Sequence, residues 1–152
     1  MHKYVRDDIA QPAVGADVST FPSTSAEYRL LTVRAKLVTS AAVANRFPHF
    51  QMVTPSGDVF FEAVPSAAQT ASATVIYQLT ADSGAPNEGS AVNDGVSGLS
   101  LPNFWVDEGC RFKTVTTAID AGDQWSGIYA TYLIRDERGM IALIEQALAQ
   151  HG

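Results

Sequence analysis

The chain reads as an all-β protein, a sandwich or barrel, and three observations predict this. Leu31, Val33, Ala35 and Leu37 alternate with Thr32, Arg34 and Lys36, the period of two expected of a strand with one face on a core and one in water. Val59, Phe60 and Phe61 follow a Pro55-Ser56-Gly57-Asp58 turn, so the chain reverses just before a bulky, β-prone run. Comparable alternation returns only after residue 70, so the strands that cover these apolar faces are distant in sequence.

Three segments organise the chain: an extended N-terminal arm over 1–27, a β-sandwich domain over 28–135, and a C-terminal amphipathic helix over 136–152. The arm carries Pro12, Gly15, Pro22 and a Ser/Thr run without a sustained period, leaving room for one short strand. It either reaches across to a neighbouring subunit or frays. With no apolar pattern to give the core, its removal should cost the free protein little.

Within the domain, Val43 to Val53 forms a second strand. Pro48 interrupts it, and because proline cannot donate to a ladder the strand belongs at a sheet edge or at a bulge. A fourth strand runs from Ala73 to Thr80. Residues 81–98, with four glycines and almost nothing to bury, read as a long surface excursion, for contact or disordered. Leu99 to Val106 is a short apolar strand broken by Pro102, and Arg111 to Thr117 alternates again. Gln124 to Ile134 places Trp125, Tyr129, Thr131 and Leu133 on one face and Ile128, Ala130, Tyr132 and Ile134 on the other, and apolar groups on both faces imply a central strand or a subunit contact. From Asp136, a helix N-cap, Met140, Ile141, Ile144, Ala147 and Leu148 recur at helical spacing. That stripe either packs on its own sandwich or docks another chain.

At 152 residues the chain fits one domain with a core of its own. Charged residues are 17% and hydrophobic residues 46%, so Ser, Thr, Asn, Gln and Gly finish a surface suited to extended protein contact. A net charge of −6, with ten Lys and Arg scattered along the chain, argues against nucleic acid. Cys110 is the single cysteine, so no internal disulfide forms and synthesis in a reducing compartment is expected. No apolar run approaches the ~20 residues of a membrane span, and no signal-peptide core is present.

The search for chemistry returns little. Of His2, His49 and His151, only His49 lies away from the ends, and no Gly-x-Ser-x-Gly elbow accompanies it. Cys110 reads as a small buried hydrophobe rather than a nucleophile, and zinc-ligand pairs are missing. Asp120-Ala121-Gly122-Asp123 reads as a β-turn rather than a calcium loop. Glu62, Asp107, Glu108, Asp120 and Asp123 are the carboxylates open to a glycan hydrolase, with Glu108 and Asp123 the pair to nominate. Trp105 and Trp125 are candidates for a sugar platform, with core or interface tryptophans as the plainer alternative. No enzyme activity, cofactor, metal or small-molecule substrate is expected.

Three segments, Leu37-Val38-Thr39-Ser40-Ala41-Ala42-Val43-Ala44-Asn45-Arg46, Pro65-Ser66-Ala67-Ala68-Gln69-Thr70-Ala71-Ser72 and Thr117-Ala118-Ile119-Asp120-Ala121-Gly122-Asp123-Gln124-Trp125-Ser126, resemble in order and spacing a group of small tailed-bacteriophage virion proteins. The resemblance covers roughly residues 28 to 134 and leaves the arm and the helix outside. It implies a jelly-roll-like structural protein, most simply a capsid decoration (cement) protein made in the host cytoplasm and carried on the capsid surface. Its partners would be the major capsid protein and its own copies, as a homotrimer by fold-level analogy. The alternative is a tail or fibre module recognising host glycans. Phe104, Trp105, Met140, Ile141, Ile144 and Leu148 are the candidate interface residues.

Overall fold

The computed structural model describes residues 2–19, 22, 26–81, 95–135 and 144–150. It is an all-β sandwich of eight strands: β1 (His2–Asp8), β2 (Glu27–Val38), β3 (Phe47–Val53), β4 (Val59–Ala63), β5 (Thr74–Ala81), β6 (Gly95–Leu101), β7 (Arg111–Thr117) and β8 (Gln124–Arg135). One sheet has the order β1-β8-β2-β5-β6 and the other β4-β3-β7. As the patterning requires, β2 finds its partners far along the chain, in β5 and β8. The β5–β6 pair is parallel, which departs from the all-antiparallel connectivity of a jelly roll. A parallel pair needs a long connection, and residues 82–94, most of the predicted excursion, lie outside the described residues.

Trp125 sits at the centre, fully buried, where it bridges the two layers. Its ring meets Phe50 of β3 edge-on at 6.0 Å and Tyr77 of β5 at 5.9 Å, and Phe50 continues to Phe112 of β7 at 6.2 Å. Burying side chains of this size contributes roughly 1.5–3 kcal/mol each. Buried tyrosine hydroxyls need partners. That of Tyr28 donates to the Cys110 carbonyl at 2.7 Å and that of Tyr77 to Gln69 Oε1 at 2.8 Å.

The arm is part of the sandwich. β1 pairs with β8 from His2↔Arg135 to Asp8↔Tyr129, and Val5 and Ile9 pack against the core that includes Val18. Asp17 and Val18 then lie along β7, whose far side carries no strand among the described residues. Val18 N–H donates to Thr114 Oγ1 at 2.9 Å, while Asp17 accepts from the Thr116 amide, the Thr114 and Thr116 hydroxyls and the Trp125 indole. An exposed strand edge invites foreign pairing, and this segment covers one. The expectation of an arm outside the core is therefore corrected for residues 2–19.

Two further expectations change. Pro48 lies in the central strand of its sheet, not at an edge. It opposes Thr116, whose N–H turns away to Asp17, so Pro48's nitrogen faces the β4 side, between the Arg46↔Gln69 bridge and the Phe50↔Ala63 pair, where no ladder bond is asked of it. In β8, Trp125 joins Ile128, Ala130 and Tyr132 on the core face. Gly127, at φ +56°, lets the strand slip its register between Arg34 and Lys36 of β2, and such a bulge moves the residues before it to the other face. A similar shift between Leu30 and Thr32 makes Leu30, not Leu31, the core residue.

Residues 144–150 are helical and all exposed, with Ile144 at 55% and Leu148 at 68%. This turn of the predicted helix does not pack on the sandwich. Asp136, Met140 and Ile141 lie outside the described residues.

Candidate interaction surface

The three segments that carry the resemblance converge at one end of the sandwich on a buried polar clasp. Its centre is Arg46, with no exposed surface, facing an equally buried Asp123. A buried guanidinium is tolerable only when its donors are met, and here all are. Nε and Nη2 donate to the two Asp123 oxygens at 3.0 and 3.1 Å, Nη1 to the Ala42 and Ala44 carbonyls at 2.9 Å each, and Nη2 also to Ser40 Oγ at 3.2 Å. Asp123 further accepts from the Ser40 and Asp120 amides, each at 2.8 Å. Burial opposes its ionisation, but the Arg46 and amide hydrogen bonds outweigh that and hold its carboxyl below the usual range.

The second segment closes the clasp. Gln69 pairs its backbone with that of Arg46, and its buried amide nitrogen donates to the Leu37 and Ala73 carbonyls at 2.8 and 3.1 Å. Thr39 Oγ1 donates to Thr70 O at 2.6 Å and accepts from the Ala73 amide at 2.9 Å. In the third, Ser40 Oγ donates to Asp120 Oδ2 at 2.7 Å, and the Gly122 amide reaches the same oxygen at 2.9 Å. These bonds, the Gly122 amide foremost, hold the Asp120 carboxyl below its usual range. Gly122 must be glycine because a Cβ there would lie 2.9 Å from that of Ser40. The Asp123 amide bonds the Asp120 carbonyl at 2.9 Å, so this is the turn that the spacing predicts.

Other nominated residues scatter. Trp125 is core and presents nothing to a sugar. Cys110 is buried, and burial, then the nearby Asp107, pushes its thiol up, away from the reactive thiolate. His49 Nδ1 lies 3.2 Å from Glu62 Oε1 on the outer face of the three-stranded sheet, where hydrogen bonds from Gln51 foremost, then His49, hold the Glu62 carboxyl low. Glu108 is exposed in the turn before β7, and Asp123 is sealed against Arg46, so the nominated acid–base pair does not share an open site. Among the described residues no group of three His, Cys, Asp or Glu could hold a metal ion, and no helix is long and apolar enough to cross a membrane.

Of the candidate interface residues, Phe104 is 46% exposed and packs against the exposed Phe60 of β4, ring to ring at 6.4 Å. Trp105 is half-buried. The Arg135 guanidinium lies 4.9 Å from its ring and the His2 ring 4.9 Å away. Val106 beside it continues the larger sheet by bridging Tyr28.

Sequence reasoning missed the outer face of that sheet. Strand register brings Arg6, Arg29, Arg34, Lys36 and Arg135, five of the protein's ten cations, onto one surface. Tyr129 lies among them, with the Arg6 guanidinium 4.7 Å and that of Arg34 5.8 Å from its ring centre. In sequence these residues are spread over three strands, and only the register collects them.

No family model, curated protein or solved structure matches the chain.

Proposed function

We propose that the protein is a structural component of a tailed-bacteriophage particle, a capsid decoration protein that binds the lattice of major capsid subunits. The observation that supports a structural role is the clasp. The three segments that resemble phage virion proteins meet there and use Arg46, Gln69 and Asp123 to hold loops together, with every donor of the Arg46 fork engaged inside the protein. Motifs used in this way specify a fold rather than a reaction. Exposed Phe60 and Phe104 offer apolar contact of the kind found at protein interfaces. The exposed turn of the C-terminal helix adds a second place for a neighbouring subunit, of the same chain or of the capsid.

Quantitative mass spectrometry of purified particles tests this. A copy number in proportion to the major capsid protein is expected, and a copy number matching a single ring at the connector or tail, or no incorporation, overturns it.

A further inference from the structure

The net charge of −6 conceals a strong asymmetry. On the outer face of the five-stranded sheet the register places five cations, Arg6, Arg29, Arg34, Lys36 and Arg135, and, among the described residues of β1, β2 and β8, two carboxylates, Asp8 and Glu27. Asp8 pairs with Arg6 at 3.5 Å and Glu27 with Arg135 at 3.2 Å. Arg34 and Lys36 have no ion pair among the described residues. The face is therefore positive on a negative molecule, and a partner's field must complement it.

We propose that this face is a docking surface for an acidic polypeptide surface, whose Asp and Glu carboxylates bind the forks of Arg34 and Arg6 on either side of Tyr129 and the ammonium of Lys36. Stacking on one ring limits the freedom of both guanidiniums, so less is lost when a carboxylate engages them bidentately. Tyr4, 62% exposed, with Leu133 beside it in register, supplies the apolar component that, with Arg and Tyr, marks protein interfaces. Nucleic acid fits less well. Its affinity comes from counterion release over many phosphates, which a chain of net charge −6 opposes, and bases need open aromatic faces, whereas Tyr129 is already covered by guanidinium.

The inference goes beyond the particle assignment, and failure here would leave the copy-number result untouched. The test uses the full chain and a fluorescent Glu-rich peptide, with oligo-dT and a Lys-rich peptide as the other arms, read by anisotropy at several salt concentrations. Salt-sensitive binding of the Glu-rich peptide alone is expected. The double change Arg34→Glu with Lys36→Glu should weaken it by about tenfold or more, and Lys113→Glu on the opposite sheet should leave it unchanged. Arg34→Lys keeps the charge but not the stacked fork and should weaken binding in part. Circular dichroism melts show whether each variant is folded, and Arg34→Gln with Lys36→Gln replaces the double reversal should it unfold. Preferential binding of oligo-dT, no binding, or binding indifferent to Arg34 and Lys36 would overturn the proposal.

Discussion

Arg46 and Asp123 lie 77 residues apart in the chain and meet through two hydrogen bonds, with neither side chain exposed. Removing one partner leaves the other charge buried and unpaired, so Asp123→Ala or Arg46→Met alone should cost about 3–5 kcal/mol. Replacing both with apolar residues should cost much less than the two single losses combined. Arg46→Lys retains the charge but not the fork, and should still lose part of the stability. Urea unfolding of the four variants measures this.

The same pair sets an acid limit. Asp123 and Asp120 both have carboxyls held low in the folded state. Their contribution is therefore present above the unfolded carboxyl value of about 3.9 and is lost as pH falls through the lower folded values. A melting temperature that falls with acidification across that window is expected, and Asp123→Asn should be less stable at neutral pH with a flatter acid limb.

The N-terminal segment should behave as part of the domain. Asp17 accepts from Thr114, Thr116 and Trp125, so Asp17→Ala strands several donors and should cost at least about 1–3 kcal/mol. Deleting residues 1–19 should cost more and expose the edge of β7. Thermal melts measure the cost, and light scattering should show self-association of the truncated chain.

Two substitutions should be nearly silent. Ser97 is buried with a hydroxyl that has no hydrogen-bond partner among the described residues, so Ser97→Ala removes an unmet polar group and should be neutral or stabilising by about 1 kcal/mol. Ile144 is exposed, and Ile144→Ala should change stability by less than about 0.5 kcal/mol. The same truncation at the fully buried Leu37 should cost about 2–5 kcal/mol. Chemical denaturation compares all three.

The fold was legible where the signal is local. The period of two at Val33, Ala35 and Leu37 marks β2, and Thr54 to Asp58 closes the predicted turn, with the Thr54 amide on the Asp58 carbonyl at 2.8 Å. What depends on tertiary pairing was not. His2–Asp8 has polar residues on both faces and becomes a strand only by pairing with β8. The Gly127 bulge reverses which face Trp125 takes, and a period count cannot anticipate a slip of one residue. The clasp was half visible: its segments stood out, but the Arg46–Asp123 contact depends on how distant loops meet. The cations on β1, β2 and β8 come together only through strand register.

The most direct test of the central claim is a difference density between particles assembled with and without this chain. The account predicts that the missing density lies at repeated positions on the outside of the capsid lattice. An unchanged capsid, or density lost only at the tail, would contradict it.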